Sequence, residues 1–546
     1  MLHAPSSTLA ARAALALVGL TALAASPAQS PRRADADAHD PARELFAGRL
    51  VRIAVAVSEE SKGRLRESPR EYAPARVSID GKDWPSAGIK LKGAAGSFRE
   101  FDDRPGLTVD LDRFGEAAPF HGLAKFHLNN AVQDGTWLHE WLGAQVFLAA
   151  GYPAPRVAHA VLELDGRKLG LYVLREPFDR RLLDRAFGDG SGNLYDGGFC
   201  QDLDAELEKD SGAGVDDRSD LRALVEVCSV ADDDVTGTRL AERVDVPALI
   251  DFVALESMLG HWDGYALNRN NYRVYLDPRD GRARFLPHGM DQLFGDAEAS
   301  VLSHPPALVA SAVLARPEWR KQYRARVRAL VPVFAPERWR PRIRAMAERL
   351  EPALVEMGDD VRDAFRDAVR DLEERVAARH ASLLAQSKAP EPRPLEFRGA
   401  RPILVKGWKP AAETEEIALR RKGVDGVMAY ELSCEARDDD AGSQVAAWRT
   451  TVLLARGRYR LLASIRTAGL RSGSRDDEGH ENGGAFLAVD DARSERLLGD
   501  HRWTASRCEF EVGEFQREVE LALRVRADDG IAWFRIDSLQ LERMPD

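Results

Sequence analysis

Three things are scarce in this sequence. Positive charge is outweighed: 77 Lys and Arg against 88 Asp and Glu leave a formal net charge of −11. That balance excludes nucleic acid as the main partner, although a local basic pocket can still hold an acidic small molecule. Cysteine is rare, with only Cys200, Cys228, Cys434 and Cys508. No pair has zinc-knuckle spacing, and four are too few to scaffold a chain of this length. Cys200 with Cys228 and Cys434 with Cys508 would each close a loop within one region, a pairing the sequence leaves open. Long apolar runs are absent after residue 30, so no later segment can span a bilayer.

The first thirty residues carry what the rest lacks. "MLHAPSSTLAARAALALVGLTALAASPAQS" has a weakly basic start (His3, Arg12), an apolar stretch from Ala13 to Ala25, and small residues at Ala24, Ala25 and Ala28. This pattern predicts a cleaved signal peptide over 1–28 and a flexible lead-in over 29–44, with an uncleaved anchor as the alternative. The expected destination is secreted, periplasmic or cell-surface, with no transmembrane span after cleavage. The remaining length, out of 546 residues with 44% hydrophobic and 30% charged, suits two or three globular domains.

From "LVRIAVAV" (50–57) to "LGLYVLREPFD" (169–179) short alternating segments predict strands, interrupted by one helix at "TWLHEWLGAQVFLAAG". Residues 240–260 read as a second helix, and beyond 315 amphipathic helices follow one another. "APEPRPLEF" (389–397) is a Pro-rich linker. After it, residues 398–546 return to short alternating strands at the spacing of an antiparallel β-sandwich. The expected class is α+β followed by an all-β domain.

The chemistry concentrates in "WDGYALNRNNY" (262–272), which puts Asp263 before Asn268, Asn270 and Asn271. A hairpin is predicted next, "YRVYL" turning at "DPRDG" into "RARFLP", and then "HGMDQLF" with Asp291. A hairpin returns the chain to its starting point, so Asp263 and Asp291 can meet. One acid can orient an acceptor's proton; the other, with an asparagine oxygen, can hold Mg²⁺ against phosphates. Oxygen donors of this kind suit a hard cation rather than zinc. The competing reading is turn chemistry, with Asp capping a helix and Asn making Asx-turns. His261, His288 and His380 are not spaced as metal ligands.

The stretch "GHWDGYALNRNNYRVYLDPRDGRARFLPHGMDQLF" resembles the signature of the CotH kinase family. "GIKLKGAAGS", "FHLNNAVQDGTWLHEWLGAQVFLAAGYPAPR", "LELDGRKLGLYVLREPFDRRLL" and "GNLYDGG" resemble further blocks of it, in order, over roughly 45–388. The resemblance implies an atypical protein-kinase-like fold, with a strand-rich N-lobe and a helical C-lobe. It implies Asp263 as catalytic base, Asp291 as metal-binding acid, and Asn271 as the asparagine of the site, with Asn268 as second choice. A kinase also needs a cation for the nucleotide phosphates, often paired with a helix acid. Lys90, Lys92 and Arg104 are the candidate cations and Glu140 the acid; the rival reading leaves the three cations solvated on strand faces. Arg104 stands where the family usually has lysine, and Asp196 stands where it often has lysine.

The function implied is transfer of the ATP γ-phosphoryl group, with Mg²⁺ or Mn²⁺, to Ser or Thr of an exported or surface protein. Two alternatives remain: a non-catalytic envelope or coat-type binding protein on the same scaffold, and a nucleotidyltransferase. In the C-terminal region Trp448, Tyr459, Trp503 and Trp533 could stack on a glycan or contact an envelope component. Filling of the sandwich core competes with that role.

Overall fold

The computed structural model describes residues 40–545, apart from 214–215, 230–232, 302–304, 391–392, 400, 413–417, 436–443 and 474–482. The expected signal peptide over 1–28 and the expected lead-in as far as residue 39 lie outside these. The chain is mixed α and β. Strands β1 (Leu50–Val57), β2 (Ala73–Ile79), β3 (Lys82–Lys92), β4 (Gly106–Asp110), β5 (Lys125–Asn129), β6 (Val157–Leu164) and β7 (Arg167–Arg175) form a closed barrel in the order β1-β2-β3-β4-β5-β7-β6. All its ladders are antiparallel except β1 with β6, which closes it. Alternation sends Ile53, Val77, Ile89, Leu91, Val109, Phe126, Leu162 and Leu174 inward to one apolar cluster. The helix predicted within the strands runs from His139 to Ala149. A helix that alternation does not reveal, Glu59–Glu67, starts where Ser58 accepts a hydrogen bond from the Ser61 amide.

A four-stranded sheet follows, with β8 (Asn193–Asp196), β9 (Glu208–Ser211), β10 (Tyr272–Asp277) and β11 (Arg282–Pro287) in the order β11-β10-β8-β9. The predicted hairpin is β10–β11. The helix expected over 240–260 divides, because Asp245 caps a new start, accepting from the Ala248 amide, and Pro247 follows in the first turn. Its second part, Val246–Leu259, is buried on nearly every side. It packs with the helices His139–Ala149, Pro317–Leu330, Pro336–Val355 and Asp359–Lys388 into a core containing Trp141, Phe252, Val327, Ile343 and Leu372. The end of the lead-in is anchored rather than loose: Asp40 ion-pairs with Arg156 and Arg181, and Leu45 is buried.

Residues 403–543 form one ten-stranded sheet around a separate apolar core. Three of the short strands expected there are segments of two long ones, Gln444–Arg471 and Gly499–Ala527, paired along most of their length, while Gly484–Val489, Asp529–Arg535 and Gln540–Arg543 stay short. Gly457, at φ +152°, shifts the register as a bulge and lets the strand continue. Trp448 and Tyr459 lie inside, filling the core rather than offering a stacking surface; Trp533 is buried on the other face of its strand, with Arg466 over its ring at 5.5 Å and its Nε1 donating to Glu431 Oε2 at 2.6 Å, while Trp503 is half-buried. An ion pair of Arg320 with Glu518, 2.9 Å, joins this sheet to the helices. The four cysteines are all free. Among the described residues no helix is long and apolar enough to cross a membrane.

Candidate functional site

A cavity of about 470 Å³ opens between the barrel and the helical region. From the barrel side it is lined by Lys92, Asn129, Asn130 and the turn Gly93–Ala95 with Ser97. From the other side it is lined by Asp263, Asn270, Asn271, Arg273, His288 and Asp291, with Asp134 and Glu140 between.

The Asp263 loop is held from beneath. The helix Val246–Leu259 ends at Gly260 in the left-handed region, φ +64°. From inside that helix the buried Glu256 carboxylate accepts from the Tyr265 amide (3.1 Å) and the Ala266 amide (3.0 Å). Gly264 permits this, because a Cβ there would sit 2.5 Å from Glu256 Oε1. The same closeness recurs at Gly289, where a Cβ would meet Asn271 Oδ1 at 2.1 Å.

The gathered asparagines all serve one carboxylate. Asn268 Nδ2 donates to Asp263 Oδ1 at 2.5 Å, and Asn270 Nδ2 donates to both oxygens at 3.1 Å. Asn271 Nδ2 donates to Oδ2 at 2.7 Å and to the Asp263 carbonyl at 2.9 Å. Asn271 takes a left-handed φ of +51°, which asparagine tolerates better than most residues. Asn268 does not line the cavity; its amide instead reaches the exposed Cys200 sulfur at 3.6 Å.

On the barrel side Lys92 Nζ donates to Asn129 Oδ1, and Asn129 Nδ2 donates to both Glu140 carboxylate oxygens at 2.8 Å. The lysine and the helix acid are thus joined through an amide. Burial, helped by the charge of Arg175, draws the Lys92 pKa down to about 8. Burial, reinforced by the nearby charges of Glu140 and Asp134, pushes Asp291 up to about 7. Asp134 is also occupied structurally, accepting from Thr136 and from the His139 amide (2.9 Å). His139 Nδ1 in turn meets the Asp291 carbonyl at 2.8 Å. His127 and His288 are half-buried; desolvation and the nearby cations hold both well below the usual imidazole range.

Of the residues singled out from sequence, Asp263, Asn271, Asp291, Lys92 and Glu140 surround one cavity. Lys90 and Arg104 do not. Both lysines leave the outer face of β3, but Lys90 lies over the Tyr72 ring at 5.0 Å. Arg104 packs over Trp137 (5.7 Å) and Tyr172 (5.1 Å) and donates to the Leu171 carbonyl. Asp196 lines the cavity paired with Arg273, 2.5 Å across the β8–β10 ladder. Sequence reasoning did not assign Asn129, Arg175, Arg273 or Asn270. The one available signal was an asparagine ending an alternating strand shortly before a helix acid.

A three-residue His, Cys, Asp or Glu cluster able to hold a metal is absent among the described residues. The oxygen donors present nonetheless suit a hard divalent cation. Asp291 carries negative charge that its neighbours oppose, and Asn271 Oδ1 is not the atom used on Asp263.

A family model described as CotH kinase protein matches residues 89–383, more than half of the chain. Inner spore coat protein H of Bacillus subtilis (strain 168) is 23% identical over 264 residues, covering 44% of this chain and 72% of that protein. Among solved structures, TmCBM61 in complex with β-1,4-galactotriose aligns with 25% of this chain and 88% of its own, at 14% identity and a TM-score of 0.18.

Proposed function

The chain belongs to the CotH kinase protein family, and on that premise we propose that it is an ATP-dependent protein kinase acting on Ser or Thr of an exported or surface protein. The observation that carries this reading is the single cavity bordered by Asp263 with its asparagine clamp, by Lys92 linked to Glu140, and by Asp291. The barrel then corresponds to the nucleotide side of a kinase-like fold, and the helical region to the catalytic side. Export rests on the signal-like segment at 1–28.

When bound, Mg²⁺ or Mn²⁺ with ATP supplies charge neutralisation at the phosphates. Asp291 and the Asn271 side-chain oxygen would hold the ion, and Lys92 would donate to a phosphate oxygen. Glu140, acting through Asn129, keeps Lys92 in place. Asp263 accepts a hydrogen bond from the acceptor hydroxyl and takes its proton as that oxygen bonds to the γ-phosphorus and ADP departs. Asn270, whose two contacts with Asp263 are longer than those of Asn268 and Asn271, yields when the hydroxyl enters.

Labelled ATP tests the proposal. With Mg²⁺ or Mn²⁺, label at the γ-position should pass to protein, and Asp263→Asn should reduce it by roughly a thousandfold with folding intact. Transfer from the α-position instead would make this a nucleotidyltransferase. No transfer from either position, or equal transfer by wild type and variant, would sink the assignment of Asp263.

A further inference from the structure

A second pocket, of about 330 Å³, is lined by Phe46, Trp141, Gln145, Arg342, Met346 and Arg349. Trp141 and Gln145 stand on the helix whose Glu140 lines the first cavity, so the two sites share an element but no lining residue. Arg338, Arg342 and Arg349 lie four and then seven residues apart on the helix Pro336–Val355, which returns them to one face. Each is held by something other than an acid. Arg342 donates to Gln145 Oε1 at 2.6 Å and lies over the rings of Trp339 at 4.8 Å and Trp141 at 6.0 Å. Arg338 lies over Trp339 too, at 5.4 Å, and Arg349 donates to the Ala47 carbonyl at 3.1 Å. Among the described residues none of the three has a carboxylate within ion-pair reach. Arg344 on the same helix is paired with Glu373, and Arg362, Arg366 and Arg370 on the next helix with Asp359, Glu351 and Asp367. Burial and the like charge of Arg338 hold the Arg342 pKa below the usual arginine range.

Arginines already fixed by stacking and hydrogen bonds lose little freedom when an anion arrives, and these three are not neutralised beforehand. In a chain of net charge −11 they are a local exception that an anionic partner fits. Helix rise spreads them over about 16 Å, more than one small anion spans. The pocket that Arg342 and Arg349 flank is apolar at Phe46, Trp141 and Met346, none more than 9% exposed. Side chains so recessed cannot insert into a bilayer, and a bare polyanion would leave the pocket empty. An extended peptide meets both demands. At roughly 3.3 Å per residue, carboxylates two and then three residues apart follow the helix spacings of about 6 Å and 10 Å. We propose that this surface binds an acidic segment of a partner protein, its carboxylates on Arg338, Arg342 and Arg349 and one apolar side chain in the pocket. The site stands apart from the phosphoryl-transfer cavity and requires no turnover.

The test is fluorescence anisotropy of the full chain with a labelled peptide carrying glutamates at this spacing and a leucine between the second and third. Binding should weaken as salt is raised. Replacing that leucine by serine should weaken it about tenfold, through loss of apolar burial. The combined variant Arg338→Gln, Arg342→Gln and Arg349→Gln should bind roughly tenfold more weakly than wild type. Arg362→Gln, Arg366→Gln and Arg370→Gln together change the net charge equally and should leave affinity unaltered. Should the first combination not fold, Arg342→Gln alone decides, with an expected loss of about threefold. No binding of the peptide by wild type, equal binding by both combined variants, or equal binding of the serine peptide overturns the proposal. So does tighter binding of polyphosphate or of phosphatidylglycerol vesicles than of the peptide. Because no phosphoryl transfer enters the measurement, failure of the kinase reading leaves this result standing, and the reverse holds too.

Discussion

On the loop side of the cavity, the Asp263 carboxylate is met by the neutral amides of Asn268, Asn270 and Asn271. Elsewhere around the cavity, Asp134, Glu140 and Asp291 crowd together, with Lys92 and Arg175 opposing their charge. Neutral donors can satisfy an anion without adding net charge, so the loop holds its shape with nothing bound. Crowded like charges are relieved only by those cations and by the proton that Asp291 keeps up to about pH 7. One cluster is satisfied by neutral donors, the other by charge and protonation.

The sharpest way to break this contrast is Asp291→Asn. The folded carboxyl is raised to about 7, above its ordinary value near 4, so the folded protein holds a proton that the unfolded chain has released. This group's contribution is therefore fully present below about pH 4, falls as pH rises towards 7, and is flat beyond. Asp291→Asn should then raise the stability of the unliganded protein near pH 8 by on the order of 1–4 kcal/mol and leave it unchanged near pH 4. Denaturant melts at the two pH values check this, and equal effects at both would show that the crowding is not electrostatic. Phosphoryl transfer should be lost in the same variant.

A smaller effect probes the amide between lysine and acid. Asn129→Ala should raise the KM for ATP about tenfold through a misplaced Lys92, with a stability loss of about 1–2 kcal/mol from the unmatched Glu140. An unchanged KM would mean that the link only supports the fold. The smallest effect belongs to Lys90→Met, which should leave nucleotide affinity unaltered and stability within about 0.5 kcal/mol, whereas Lys92→Met should abolish nucleotide binding. Parallel titrations of the two variants decide, and similar losses in both would undo the assignment of the barrel wall.

The hairpin was legible because alternation around "DPRDG" is a local signal, and β10 and β11 fall within a residue of where it puts them. The choice between Lys90 and Lys92 was not, because a period of two puts both on one face of β3. Only the path of the barrel separates a side chain over Tyr72 from one in the cavity. Arg104 sits beside the expected strand, yet its surroundings come from Trp137 and Tyr172, far along the chain. Asn129 and Arg175 acquire meaning only once β5 and β7 are neighbours, which no spacing announces. The asparagine cluster was half legible: its place beside Asp263 was visible, but the convergence of all three amides on one carboxylate was not.

The long strands of the C-terminal sheet set an order on the making of the protein. Gln444 pairs with Ala527 and Ile403 with Leu541, whereas the helices between 317 and 388 draw their hydrogen bonds from within four residues. A chain elongating from its N-terminus can therefore form those helices as soon as they emerge. The sheet cannot enclose its core until nearly its last residue has been synthesised, and until then the inward faces of its strands stay open to solvent and to other chains.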